Sequence, residues 1–249
     1  MRFLIKFSYD GSNYHGYQCQ KELDTIQERL ESAIKIVNND IYRPVISTGR
    51  TDKGVHAKEQ YAHVDLDVTI NEYQLKRALN SNLPDDIHII NTKIVSDKFH
   101  ARYHVVEKEY KYLINLGEYD PITRDYIYQY NYKLDIDKMS DAIQYFIGTH
   151  DFRAFVTENK DKLNCVRTIS KAEIKKEYDE VYSIIFKGNG FLRYQVRNIV
   201  GILLKVGQGK KTPKEVLEIL ESKDRNKCGV TAPAVGLYLT KVKFDDSID

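Results

Sequence analysis

The chain has no tryptophan, and only three cysteines, five prolines and two methionines among its 249 residues. Cys19, Cys165 and Cys228 are an odd number, far apart, with no C-x-x-C pair. They support neither a disulfide framework nor a structural zinc site, and free thiols in a reducing compartment are the expectation. Neither charge sign dominates: 38 Lys+Arg against 36 Asp+Glu leave a net charge of +2. That excludes a histone-like polycation but permits a locally basic groove for nucleic acid. Long apolar runs are missing as well. The best, Ile199–Leu204, stops at Lys205, short of the about 20 residues a membrane span needs. The opening Met1-Arg2-Phe3-Leu4-Ile5-Lys6 is charged again too soon for a secretory leader. The expectation is a cytoplasmic protein with no membrane association.

What is present is the composition of a globular protein, 42% hydrophobic and 30% charged. The length suits one large domain or two modest ones. Tyrosine is abundant, 19 against 9 phenylalanines. It can stack on bases while offering a hydroxyl, or simply cover surface.

Arg2–Tyr9 alternates, with Phe3, Ile5, Phe7 and Tyr9 on one face, and predicts a strand ending at Asp10-Gly11. Thr25 and Glu28 form a capping-box pattern ahead of a helix to Val37, whose stripe is Ile26, Leu30, Ala33, Ile34 and Val37. Strands near Arg43–Thr48 and Gln60–Leu66 flank a polar loop, Gly49 to Gly54. A helix through Leu75, Ala78 and Leu79 and a strand from about Ile87 to Val95 complete a β-α-β-β-α-β order. The second half repeats it: a strand at Lys108–Leu116, a helix carrying Met139, Ala142, Ile143 and Phe146, strands Thr168–Glu177 and Val181–Lys187, a long helix from about Leu192 to Val206, a short one after Thr212-Pro213, and a strand Gly236–Phe244. The expected fold is α+β, with two tandem ferredoxin-like halves, 1–103 and 104–249, of antiparallel sheets covered by helices on one face and a catalytic cleft between the halves.

The densest polar cluster is Ser47-Thr48-Gly49-Arg50-Thr51-Asp52-Lys53-Gly54-Val55-His56-Ala57. It is either an ordinary surface connection or a scaffold-anchored catalytic loop. It is no Walker loop, since Val55-His56 follows Gly54. Asp52 could act as a metal ligand, a general base or a nucleophile. A metal site is poorly supported, because no second acid lies nearby and His100 and His104 are not clearly on a helix. A buried carboxylate acting in catalysis needs a cation to keep it ionised, and arginine suits that role. Arg193 and Arg197 lie four apart on one helix face: either a solvated basic stripe, or one inward arginine beside one that meets RNA phosphates.

Gly49-Arg50-Thr51-Asp52-Lys53-Gly54-Val55-His56-Ala57 closely resembles the catalytic motif of the tRNA pseudouridine synthase A family. Tyr9-Asp10-Gly11-Ser12-Asn13-Tyr14-His15-Gly16-Tyr17-Gln18, Asn82-Leu83-Pro84, Phe99-His100-Ala101-Arg102-Tyr103, Tyr110-Lys111-Tyr112, Val196-Arg197-Asn198-Ile199-Val200-Gly201 and Gly236-Leu237-Tyr238-Leu239 match in order, so the resemblance covers essentially the whole chain. Tyr17 departs from it, standing where the family usually has tryptophan.

The resemblance implies an isomerase that turns uridine of tRNA into pseudouridine at positions 38, 39 and 40 of the anticodon stem-loop, without cofactor or metal. It implies Asp52 as the catalytic residue, Arg197 as its ionic partner, Tyr110 as the tyrosine packed against the target uracil, and Arg50 as an aid to extruding the base. It assigns tRNA contacts to Phe99, His100, Ala101, Arg102 and Tyr103 and to a loop near Asn159–Leu163, and implies a homodimer with one tRNA contacting both subunits. Two other readings stand beside it: the same chemistry on another RNA, and a catalytically silent RNA-binding protein.

Overall fold

Apolar alternation and helical stripes decide most of the elements. The computed structural model describes residues 1–157 and 164–246; the expected RNA loop near Asn159–Leu163 lies outside the described residues. The chain divides into two compact units: Met1–Glu107 joined by the chain from Tyr238 onward, and Lys108–Leu237. Each carries sheet and helices, so the fold is mixed α+β.

The first unit begins with β1 (Arg2–Tyr9), α1 (Ile26–Val37), β2 (Ile46–Ser47), β3 (His56–Asp65), α2 (Glu72–Asn80) and β4 (Ile87–Ile94). β1 pairs antiparallel with both β3 and β4, and β2 pairs antiparallel with β3 at Ile46↔His63 and Ser47↔Ala62. Phe3, Phe7, Leu30, Ile34, Leu75 and Leu79 are buried as this unit's core. The Thr25 hydroxyl accepts the Glu28 N–H at 3.4 Å, which is the N-cap half of the expected box. The strand expected at Arg43–Thr48 shrinks to two residues. Pro44 has no N–H to give a ladder, and the Val45 N–H is taken at 3.1 Å by the Glu31 carboxylate of α1.

The second unit contains β5 (Val105–Asn115) from Lys108 onward, β6 (Tyr128–Gln129), α3 (Ile136–Ile143), β7 (Gly148–Asp151), β8 (Val166–Tyr178), β9 (Val181–Gly188), α4 (Gln195–Gly207), α5 (Pro213–Ser222) and α6 (Arg225–Cys228). Its strands run β5-β9-β8-β7, each antiparallel to the next, and β6 lies parallel to β5. α3 and α4 close tightly: a Cβ on Gly207 would stand 2.6 Å from the Met139 sulfur. α4 begins at Gln195 and not at Leu192, because Tyr194 takes a left-handed conformation (φ 62°) that stops the helix there.

The last strand, β10 (Leu237–Phe244), returns to the first unit from Tyr238 onward, so the observed division differs from the expected 1–103 and 104–249. The reason is packing. β10 pairs in parallel with β3 at Tyr238↔His56 and Leu239↔Ala57, the Tyr238 ring stacks on His56 at 4.7 Å, and Phe244 meets Tyr61 and Phe99.

Candidate active site

The loop joining β2 to β3 is anchored almost residue by residue. The Thr48 N–H bonds the Tyr61 carbonyl at 2.9 Å, and its hydroxyl donates to the Gln60 side chain. The Gly49 carbonyl accepts from the Ser47 hydroxyl at 3.0 Å and from Gln60 Nε2 at 3.1 Å. Thr51 is held twice: its hydroxyl lies 2.8 Å from the Tyr9 hydroxyl, and its carbonyl accepts the Tyr17 N–H at 3.1 Å. The Asp52 carbonyl accepts the Val55 N–H at 3.1 Å and closes a turn in which Gly54 has φ 76°, the conformation for which glycine is favoured. Asp52 itself is half-buried and Arg50 is exposed.

The opening strand and the segment after it grip this loop from outside. The register of β1 against β3 shifts between Phe7 and Tyr9, a bulge of the kind that re-aims a side chain. Tyr9 is buried, which pushes its hydroxyl up to about 12, while hydrogen bonds to Thr51 and Gln60 pull the other way. It therefore stays neutral and can keep its hydrogen on the bond. Gly16 (φ 97°) has no room for a side chain: a Cβ would stand 3.0 Å from the Thr51 carbonyl and 3.2 Å from the Lys53 nitrogen. Beyond Val55, His56 Nδ1 lies 3.0 Å from an Asp10 oxygen and 3.2 Å from the Gly11 nitrogen.

In the second unit, Tyr110 sits on β5 opposite Phe186 of β9, 8% exposed, with its ring edge-on to Phe191 at 5.1 Å. Arg197, half-buried on α4, donates from Nε to the Ala232 carbonyl at 2.7 Å, and its own carbonyl accepts the Ala232 N–H at 3.1 Å. One turn further along, Gly201 lets the Val230 carbonyl approach so closely that a Cβ would stand 1.9 Å from it. Among the described residues, no group of three or more His, Cys, Asp or Glu is placed to hold a metal ion.

A family model described as tRNA pseudouridine synthase matches residues 6–104 and 142–245, which include Asp52, Arg50 and Arg197. The chain belongs to this family. Curated relatives named tRNA pseudouridine synthase A or A 1 agree over nearly the full length. One from Bacillus cereus (strain ATCC 10987) is 44% identical over 98% of this chain and 99% of its own. One from Thermoanaerobacter sp. (strain X514) is 45% identical over 97% and 98%, and one from Anoxybacillus flavithermus is 41% identical over 98% and 99%. Among solved structures, an H/ACA RNP bound to a substrate RNA containing 2′-deoxyuridine matches at 12% identity and TM-score 0.33, over 82% of this chain and 53% of that one. As a tRNA pseudouridine synthase the chain is an isomerase.

The stretch expected to contact tRNA, Phe99 to Tyr103, lies in one turn of the first unit. Phe99 (2% exposed) and Ala101 (0%) point into the core, where Phe99 meets Phe244 and the Ala101 N–H donates to His63 Nδ1 at 3.1 Å. Arg102 is exposed, and Tyr103, 75% exposed, stacks on His100 at 4.2 Å. The solvent-facing part of this stretch is therefore Arg102 and Tyr103, on a turn shaped by the other three. Burial and the nearby Arg2 and His100 hold His63 down to about 4.

Four residues around the candidate site escaped the sequence reading of roles. Tyr9 and Gly16 belong to a motif visible in the sequence, yet only the register bulge and the φ of Gly16 say what they hold. Tyr194 carried no signal at all. Asn198 lies inside the α4 motif: its Nδ2 donates to the Phe155 carbonyl at 2.7 Å, and its oxygen accepts from Thr231 and Arg225.

Proposed function

We propose that this synthase isomerises uridine to pseudouridine at positions 38, 39 and 40 of the tRNA anticodon stem-loop, with Asp52 as the reacting carboxylate and no cofactor. The observation that carries the reading is the loop around Asp52. Thr51 before it and Val55 after it are fixed by hydrogen bonds, so the carboxylate stands at a set point on a rigid scaffold. Preorganisation of that kind is what chemistry at an anomeric carbon uses. Asp52 acts by attack on C1′ or by taking the 2′ proton. The N1–C1′ bond breaks, the uracil turns, a C5–C1′ bond forms as Asp52 is displaced from C1′ or gives the 2′ proton back, the C5 proton leaves to solvent and N1 regains a proton. Arg197 keeps Asp52 ionised. Tyr110, a flat apolar face with a hydroxyl, packs against the uracil and helps move the C5 proton. Arg50, exposed on the same loop as Asp52, wedges into the stem as the base leaves it. Arg102 and Tyr103 meet the tRNA, on a turn shaped by Phe99, His100 and Ala101.

The same reading takes the two halves as tandem ferredoxin-like folds with the cleft between them, and the active enzyme as a cytoplasmic homodimer on one tRNA. In the first unit the strand order β4-β1-β3-β2 supports the ferredoxin-like plan.

The test is release of tritium from C5-labelled uridine in an anticodon stem-loop, followed by mapping of the modified positions. Wild type releases one tritium per pseudouridine. Asp52→Asn keeps tRNA affinity, which phosphate contacts dominate, and loses turnover. Turnover by Asp52→Asn above about a tenth of wild type removes Asp52 from the chemistry. No release from any RNA leaves an RNA-binding module instead.

A further inference from the structure

The lysines of the β8–β9 hairpin meet carboxylates. Lys171 and Lys175 share Glu173, Lys176 pairs with Glu180, and Lys187 with Glu109. Arg167, near the start of β8 and half-buried, is held differently. Its Nη1 donates to the Val166 carbonyl at 2.7 Å and to the Asn164 carbonyl at 3.0 Å, and among the described residues it makes no ion pair. Carbonyls orient a guanidinium without cancelling its charge. The edge formed by Nε and Nη2 remains, two parallel donors of the kind that grip a phosphate through both oxygens. Gly190 lies beside that edge, where a Cβ would stand 3.7 Å from Nε and 3.8 Å from Cδ. Glycine therefore leaves it uncovered.

Register puts Arg167 on the same face of the second unit's sheet as Tyr110. Ile169 of β8 stands opposite Gly188 of β9, and Gly188 opposite Lys108 of β5. Arg167 is two residues before Ile169 and Tyr110 two after Lys108, and side chains two apart on a strand share a face. The segment after β9 bridges them. Asn189 is tied to Thr168 twice: its Oδ1 accepts the Thr168 N–H at 3.0 Å, and its N–H donates to the Thr168 carbonyl at 3.1 Å. Phe191, two residues on, meets the Tyr110 ring edge-on at 5.1 Å. Tyr110, Phe191, Gly190 and Arg167 thus form a row across two strand spacings, about 10 Å, the scale of one nucleotide.

We infer that Arg167 is a phosphodiester-binding residue: its Nε–Nη2 edge holds an RNA backbone phosphate next to the nucleotide whose base packs on Tyr110. The inference rests on the reading of Tyr110 as the residue against the target uracil. The ligand class follows from the donors. Two parallel N–H groups with an uncancelled charge match the two non-bridging oxygens of a phosphodiester. The two carbonyls fix the side chain before RNA arrives, so little of its rotamer freedom is lost on binding. Such a contact sets where the strand lies and carries no base sequence.

The test measures the affinity of a labelled anticodon stem-loop RNA for the Asp52→Asn protein, with and without Arg167→Gln. Glutamine keeps a donor for the carbonyls and removes the charge, so the melting temperature should hold. Kd should rise about tenfold at low salt, and the slope of log Kd against log salt should fall by about one. In the tritium-release assay, Arg167→Gln alone should raise KM and leave kcat within about twofold of wild type. Phosphates of the RNA are then replaced singly by neutral methylphosphonate. One replacement beside the target uridine should weaken binding, and at that position Arg167→Gln should add no further loss. Wild-type Kd with an unchanged salt slope overturns the inference, as do additive losses at every phosphate or coupling only to a phosphate away from the target. If Arg167→Gln does not fold, Arg167→Lys, which keeps the charge without the fork, is scanned in its place. The same coupled position is then expected with a smaller loss, and additive losses overturn the inference equally. A wild type that releases no tritium from any RNA defeats the catalytic reading, while the salt slope and the coupled phosphate still decide whether Arg167 holds RNA.

Discussion

The hydroxyls of Tyr9 and Thr51 lie 2.8 Å apart in the buried interior, so the end of the first strand is fastened to the residue immediately before Asp52. Tyr9→Phe deletes one oxygen and changes no packing volume. The expected result is a stability loss of about 0.5–1.5 kcal/mol and a fall in kcat of about tenfold, because a small displacement of a reacting group is costly. Thr51→Val should behave similarly and Thr51→Ser should recover activity. Urea melts and the tritium assay measure both. Full turnover in Tyr9→Phe would show that the bond serves stability alone.

On the proposed reading, in which Arg197 is the cation that keeps Asp52 ionised, Arg197→Ala should cost turnover. Without that cation the carboxylate holds its proton to higher pH, so the acidic limb of the pH–rate profile moves upward. An unshifted limb with normal turnover would place Arg197 in a purely structural role at Ala232.

Arg50 is exposed at the loop's edge, where a planar guanidinium can stack in the place of an extruded base. Arg50→Lys should impair a uridine paired in a stem strongly and a looped-out or mismatched one much less, since extrusion costs a few kcal/mol only when the base is stacked and paired. Equal losses on both substrates would reduce Arg50 to shaping the loop.

His63 makes the turn that presents Arg102 and Tyr103 sensitive to acid. Its ring accepts the Ala101 N–H, and burial chiefly, with Arg2 and His100, brings it from 6.5 to about 4 in the folded protein, against a smaller opposing effect of Asp65. Because the folded value lies below the unfolded one, the stability it contributes is complete above about pH 6.5 and is lost as the pH falls toward about 4. His63→Asn keeps an acceptor and removes the titration. Its melting temperature should decline less steeply between pH 6.5 and 4 than that of wild type, and parallel declines would assign the acid sensitivity elsewhere.

The elements with a long apolar stripe were legible in the sequence. Ile26, Leu30 and Ile34 define α1, and Val196, Ile199, Val200 and Leu203 define α4, because burial of those stripes outweighs anything local. Where a side chain competes for a backbone group, the pattern failed. The Glu31 carboxylate takes the Val45 N–H and shortens β2, and Tyr194 delays the start of α4. The candidate catalytic loop was legible as a motif, since glycines and charged residues crowd into it. Its supports were not: Tyr9 reads as one more buried strand residue until the bulge turns it toward Thr51, and Phe99 and Ala101 look like surface contacts until the core closes over them.

The return of β10 to the first unit has a consequence for how the protein is made. Synthesis delivers β3 and the Asp52 loop early, yet the strand that covers β3 at His56 and Ala57 emerges only after the whole second unit has left the ribosome. Until then β3 lacks its β10 partner at His56 and Ala57, and an unpaired stretch of strand edge is the kind of surface on which nascent chains aggregate. A message cut short before Tyr238 yields a product with every proposed catalytic side chain and an unfinished sheet at the strand that follows Asp52.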